Sequence, residues 1–267
     1  MSRARPERYA SGRWLRVAHP RPEARTVLVA FPHAGGSATF FRTWGAQLPP
    51  HVELVAVQYP GRLDRLREPC IDDVHQLADA VLKALDGRLD REIALFGHSL
   101  GALVAFETAL RMETQGLDIS ALFLSSPPAR DAQDRRHPQL SDEGLLAELR
   151  RLGATPADVI DDPRACETIL VGLRADYRAA ADYRPDPERG LHCPVVAMIG
   201  DSDPDVSPEA TRAWAAATAG EWALHEIPGD HFYLVPQRDT VLKLIADRLD
   251  AGDPGPLPDG RADLCRR

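Results

Sequence analysis

Short apolar runs recur along the chain, separated by stretches in which apolar residues return every three or four positions. The runs go from Thr26 to Phe31 (TVLVAF), Val52 to Gln58 (VELVAVQ), Glu92 to Phe96, Ala121 to Ser125, Pro194 to Gly200 and Trp222 to Ile227. Several are continuously apolar rather than alternating, which marks strands covered on both faces. Between them, a helix is predicted from about Asp72 to Leu85, with Val74, Leu77, Val81 and Leu85 on one face. Others are predicted from Leu100 to about Met112 and from Arg238 to about Leu249. Strand alternating with helix implies an α/β fold, a mostly parallel sheet wrapped by helices.

One region breaks this rhythm. From about Pro127 to Gly190 no strand pattern is found. Ser141 can cap a helix over SDEGLLAELRRLG, with acidic residues in its first turn and Gly153 at its end. Thr155-Pro156 marks a second helix start. A third helix is predicted from Asp162 to Tyr183, with Ile169, Leu170, Leu173 and Tyr177 on one side. A helical lid inserted between two sheet strands is the expectation, with ordinary crossover packing as the alternative.

Composition narrows the class. A chain of 267 residues, 44% hydrophobic, can bury one large core, so a single domain over residues 1–250 is expected. The remainder, 251–267 (AGDPGPLPDGRADLCRR), is rich in Pro, Gly and charge and is expected to be disordered. The opening MSRARPERYASGRW is polar, so no secretory signal is expected, and the most apolar region is too interrupted for a membrane span. A soluble, cytoplasmic protein is expected, and a monomer. Cys70, Cys166, Cys193 and Cys265 form no C-x-x-C pair, and the nine histidines show no H-x-H or H-E-x-x-H spacing, so no metal is expected; no cofactor of the protein's own is expected either. A net charge of −8 with scattered arginines gives no nucleic-acid surface.

The chemistry concentrates in FGHSLGALVAF, Phe96 to Phe106, where Gly97-His98-Ser99-Leu100-Gly101 interrupts an apolar stretch. A strand precedes this G-x-S-x-G and a helix follows it. So tight a strand-to-helix turn strains the serine backbone and tolerates only small neighbours, which makes it a nucleophile elbow. Ser99 is the candidate nucleophile, and the Leu100 amide at the helix N-terminus can face a developing anion. A serine hydroxyl needs a base, and the base an orienter, in the chain order Ser, Asp or Glu, His. His231, in Gly229-Asp230-His231-Phe232 after the last strand, is the candidate base. Asp203, in Asp201-Ser202-Asp203-Pro204-Asp205, is the chosen orienter, with Asp201 the runner-up. His225 lies inside a strand, and His98 is read as structural. The loop Phe31-Pro32-His33-Ala34-Gly35-Gly36 offers the Ala34 amide as second oxyanion donor, with His33 holding the loop.

Taken in order, FPHAGGSATFF, QYPGRLDRLREP, LFGHSLGALVAFE, GDSDP and W…PGDHFYL resemble a type II thioesterase over roughly Arg13 to Asp250. ELRRLGATP and LRADYRAAADY resemble that family's helical lid. The resemblance implies the α/β-hydrolase fold and hydrolysis of acyl thioesters from the phosphopantetheine arm of acyl or peptidyl carrier proteins. Such enzymes clear stalled or aberrant acyl groups in polyketide and nonribosomal peptide synthesis. It also implies Ser99, His231 and Asp203 as triad and the Ala34 and Leu100 amides as oxyanion hole. Arg62 in Pro60-Gly61-Arg62 matches a family signature without an evident role.

Two rivals share these residues. A general carboxylesterase or lipase has the same triad and fold, and fold alone does not decide between them. A catalytically silent binding module would be expected to lack a triad member, and none is lacking. Because carrier proteins of this kind are acidic and so is this chain, a local basic patch is expected for docking. The candidates are the arginines of residues 62–67, Arg135-Arg136 and Arg150-Arg151.

Overall fold

The computed structural model describes residues 13–86, 90–129, 139–153, 155, 157–250 and 260–261. An eight-stranded sheet runs in the order β1-β3-β2-β4-β5-β6-β7-β8, with β1 (Leu15–Arg16), β2 (Thr26–Phe31), β3 (Val52–Val57) and β4 (Glu92–His98) in its first half. The second half holds β5 (Ile119–Ser125), β6 (Val195–Gly200), β7 (Trp222–Ile227) and β8 (Gly260–Arg261). Every pairing is parallel except β1 with β3. The edge strand β1 is not among the apolar runs, because two residues carry no period. Of the tail expected to be disordered, residues 251–259 and 262–267 lie outside the described residues, and Gly260–Arg261 pairs with β7.

The helices are α1 (Trp44–Gln47), α2 (Val74–Leu85), α3 (Leu100–Thr114), α4 (Asp142–Leu152), α5 (Ala157–Ile160), α6 (Pro163–Asp182), α7 (Pro208–Arg212) and α8 (Arg238–Asp250). Alternation along each strand divides the core in two. Val27, Val29 and Phe31 of β2 join Leu95, Leu122 and Leu124 under α2 and α3. Leu28 and Ala30 join Phe96, Phe123 and Met198 on the opposite face, under Trp44 of α1 and Val241, Leu242 and Ile245 of α8. Both faces are covered, so β2, β3 and β6 are buried at every position and show no polar alternation.

The three helices between β5 and β6 pack on each other around Leu145, Leu149, Ile160, Leu170 and Leu173. Their limits follow local chemistry. The Ser141 hydroxyl accepts from the Gly144 amide at the start of α4, and Gly153 closes that helix in a left-handed conformation at φ 69°. Asp162 caps α6 through the Arg164 amide, with Pro163 in the first turn.

The strand order reverses between β2, which leads to β3 on one side, and β4, which leads to β5 on the other. Open α/β sheets bind ligands in the crevice outside such a switch point, at the carboxyl ends of the strands. Here that crevice is flanked by the loop after β2 and the turn after β4. Among the described residues, no helix is long and apolar enough to cross a membrane.

Candidate active site

Ser99 is the single residue between β4 and α3. It holds φ 54° and ψ −121°, a conformation rare for any residue with a Cβ. The turn is compatible with this sequence because the residues two positions to either side, Gly97 and Gly101, carry no side chain. A Cβ on Gly97 would stand 2.1 Å from the Gly101 carbonyl oxygen, and one on Gly101 would stand 2.2 Å from the Phe31 carbonyl oxygen. The second figure also shows how closely the N-terminus of α3 abuts the end of β2. The Ser99 amide donates to the Ser125 carbonyl at 2.9 Å, tying the elbow to the end of β5.

The loops after the next strands carry the remaining groups. Asp203 lies three residues beyond β6 and His231 four beyond β7. Asp203 Oδ2 is 2.8 Å from His231 Nδ1, and both side chains are buried. The same carboxylate accepts from the Ser126 hydroxyl at 2.9 Å and from the Asp205 and Val206 amides at 2.9 and 3.2 Å. Burial pushes the Asp203 carboxyl up, but His231, the Asp205 amide and Ser126 outweigh it, leaving it below the usual carboxylate range. Asp201 does not reach the histidine. It accepts from the Gly229 amide at 3.1 Å and the Ser202 hydroxyl at 2.9 Å, and so joins the acid loop to the histidine loop.

Ser99, Ser126, Asp203 and His231 thus stand past the carboxyl ends of four successive neighbours, β4 to β7. The His98 ring, next to Ser99, lies 5.1 Å from the His231 ring. Among the described residues, the Ser99 hydroxyl has no hydrogen-bond partner within 3.5 Å, and no internal acceptor takes the Ala34 or Leu100 amide. Catalytic hydrogen bonds are often loose before substrate arrives.

His98 and His33 occupy packing positions. His98 Nδ1 contacts the Ser125 hydroxyl at 2.9 Å, and that hydroxyl contacts Tyr233 at 2.7 Å. The His33 ring meets Phe40 and Phe232 edge-on at 4.9 and 4.8 Å, while its carbonyl accepts from the Gly36 amide. Burial, then the nearby His231 and Arg62, pull His33 down to about 3. Burial, helped by His231 and His33, holds His98 well below its usual value. Both rings are neutral at pH 7.

Asp203, Asp205 and His231 bring three metal-ligand atoms within 4.8 Å of one another. Those atoms already have partners: Asp203 holds His231, and Arg151 holds Asp205 at 2.6 Å. The arrangement suits proton transfer between a serine, a histidine and a carboxylate.

A family profile, described as the thioesterase domain, matches residues 26–249. The chain belongs to the thioesterase family. It is 42% identical over 252 residues to Thioesterase PikA5 of Streptomyces venezuelae, spanning 92% of this chain and 88% of that protein. The solved type II thioesterase BorB, from the borrelidin biosynthetic cluster, superposes with a TM-score of 0.83 at 43% identity, covering 90% of this chain and 98% of that one. RedJ, the thioesterase of the prodiginine pathway in Streptomyces coelicolor, gives 0.79 at 38% identity, over 86% of this chain and 87% of that one. The fold of this thioesterase is the α/β-hydrolase fold.

Several contacts of this thioesterase were not legible as motifs. Ser126, at φ 40°, braces Asp203 from a turn that nothing in SSPP marks. Arg62, left without a role by the sequence, is buried and pairs with Asp176 of α6, whose carboxylate also accepts from the Gly35 amide at 2.7 Å. Of the arginines named for a basic docking patch, Arg62 and Arg65 are buried, whereas Arg67 is exposed. Arg65 is buried against Gln58, Glu68 and the Trp14 ring. Arg150 pairs with Asp161, and Arg151 with Glu148 and Asp205. Arg135 and Arg136 lie outside the described residues. Nearby apolar neighbours and backbone carbonyls recruit the Arg62 and Arg65 side chains inward, so these two add no charge to the surface.

Proposed function

We propose that this thioesterase removes acyl groups from the phosphopantetheine arm of acyl or peptidyl carrier proteins through an acyl-serine intermediate, clearing stalled or aberrant chains in polyketide or nonribosomal peptide synthesis. The observation that carries the reading is the buried Asp203–His231 contact of 2.8 Å beside a strained Ser99, with two amides free to receive an oxyanion. The ionised carboxylate favours a proton on His231 Nδ1, which leaves Nε2 as the base. Nε2 takes the Ser99 proton as Oγ attacks the thioester carbonyl. The Ala34 and Leu100 amides hold the oxyanion, the C–S bond breaks, and the thiolate leaves with the proton from Nε2. Water, deprotonated by the same nitrogen, then releases the free acid and restores Ser99.

In this reading no cofactor belongs to the protein, since the pantetheine arm arrives with the substrate. The enzyme acts as a cytoplasmic monomer on carrier domains of a synthase. The test is hydrolysis of one acyl group offered on a carrier protein, on free pantetheine and as an oxygen ester, with mass spectrometry to catch the acyl-enzyme. Preference for the carrier thioester and an adduct on Ser99 support the proposal. Equal or better turnover of the oxygen ester would make this a general carboxylesterase.

A further inference from the structure

The oxyanion loop is held from the lid side. Gly35 follows Ala34 at φ 74°, and the space where its Cβ would stand is closed by Leu173 of α6 at 3.1 Å. Three residues later on that helix, Asp176 accepts the Gly35 amide at 2.7 Å. The second partner of Asp176 is Arg62, whose guanidinium also donates to the Pro60 carbonyl and packs over the Tyr59 ring. Arg62 also lies along α6 at Gly172, where a Cβ would stand 3.8 Å from Arg62 Nε, an ordinary van der Waals contact. So Gly172, Leu173 and Asp176 form one face of α6 against the loop and its arginine. Burial raises the Asp176 carboxyl, against the lowering pull of Arg62 and the Gly35 amide, so the carboxyl depends on these two partners in that place.

We propose that Asp176 is a positioning residue for the oxyanion hole. By fixing the Gly35 amide it sets the peptide that follows Ala34, and with it the direction of the Ala34 N–H. The inference rests on the catalytic reading above, in which that amide receives the oxyanion. It goes further in making the hole depend on the seating of α6. An oxyanion donor acts in the transition state rather than in the ground state, and losing one entirely costs about 10²- to 10³-fold in kcat. Loosening one should cost part of that.

The experiment compares wild type, Asp176→Ala, Asp176→Asn and Ser99→Ala, each checked by circular dichroism and melting. On a short acyl-pantetheine thioester, Asp176→Ala is expected to lose about 10- to 100-fold in kcat with KM within about threefold. Affinity for an alkylboronic acid, whose serine adduct is tetrahedral and anionic, should fall by a similar factor. Asp176→Asn keeps an acceptor for Gly35 but not the charge that holds Arg62. It should show the same pairing of effects at smaller size, and it decides the matter if the alanine variant does not fold. A kcat within twofold of wild type, a loss confined to KM, or a kcat loss without a boronate loss overturns the tether. Ser99→Ala separates the two levels: a dead Ser99 variant beside a normal Asp176 variant rejects the tether alone, whereas an active Ser99 variant rejects the catalytic reading and the tether with it.

Discussion

The ends of β4 to β7 and the helical insert α4 to α6 face the same crevice but are held in different ways. The strand ends grow out of a sheet buried on both faces, and the groups there bond to one another through short turns. The insert rests on a cluster of five buried side chains, Leu145, Leu149, Ile160, Leu170 and Leu173, while Val171 on the same helix is 63% exposed. Near the site it meets the body through Ala34, which packs on that cluster, and through polar contacts of Asp176 with Arg62 and Gly35 and of Arg151 with Asp205. Apolar burial is non-directional and accumulates with area, so it fixes the sheet. Polar ties can be broken singly, so the insert is expected to open locally at lower cost than the sheet. Proton transfer is thus assigned to the strand ends of the sheet, and one oxyanion donor leans on the insert.

The sharpest way to break this contrast is to remove the nucleophile. Ser99→Ala should reduce turnover by about 10⁴-fold or more, to what the oxyanion hole and binding alone support. Melting should be unchanged or slightly higher, because the substitution removes one hydroxyl from a strained turn. Residual activity near wild type would mean that the strand ends do not hold the chemistry.

Next come the two aspartates of the acid loop. Asp203→Asn should lose about 10⁴-fold in kcat, since it leaves the wrong group facing His231 Nδ1. Asp201→Asn should lose less than about tenfold, because it touches the Gly229 amide and Ser202 rather than the ring. Steady-state kinetics on both variants rank them, and a reversed order would put the orienter at Asp201.

That choice shows how far the sequence could be read. G-x-S-x-G, GDSDP and GDHFYL each follow an apolar run, and a short loop past a buried strand has little freedom about where its residues go. The fold was legible for the same reason, since continuously apolar strands and capped helices state their own limits: Ser141, Gly153 and Asp162 mark the insert as clearly as any strand. What stayed hidden was long-range pairing. Arg62 and Asp176 are 114 residues apart and meet because α6 folds over the loop, which no local period records. Ser126 was missed because a serine in a turn looks the same whether or not an aspartate faces it. Arg65 looked like surface charge because its inward partners include a backbone carbonyl, which every residue has.

A smaller effect concerns the buried rings beneath the strand ends. His33 and His98 have folded values below the usual 6.5, so the unfolded chain binds more protons than the folded one in the window below 6.5. Their contribution to stability is therefore complete above about 6.5 and is lost as pH falls below it, for His33 down to about 3. Each can add up to about 1.4 kcal/mol per pH unit within that window. Urea unfolding from pH 4 to 8 should show stability falling on the acid side, and His98→Gln should flatten that slope. An equal slope in wild type and variant would show that His98 takes up its proton without unfolding the strand ends.

The smallest expected effect is at the exposed tie. Arg151 and Asp205 pair at 2.6 Å but remain 41% and 25% exposed, whereas Arg62 and Asp176 are 9% and 2% exposed. Exposed pairs contribute about 0–1 kcal/mol, because water screens them and two long side chains must be ordered. Arg151→Gln should therefore change melting by no more than a degree or two and leave kcat within about twofold. Its effect should be local. Amide hydrogen exchange in α4, expected to be faster than in β4, should quicken by up to about fivefold, the ratio that 1 kcal/mol gives. Exchange in β4 to β7 should not change. Equal protection of α4 and β4 in the wild type would erase the contrast between insert and sheet. A quickening that spread into β6 would show that the acid loop, and not only the insert, depends on Arg151.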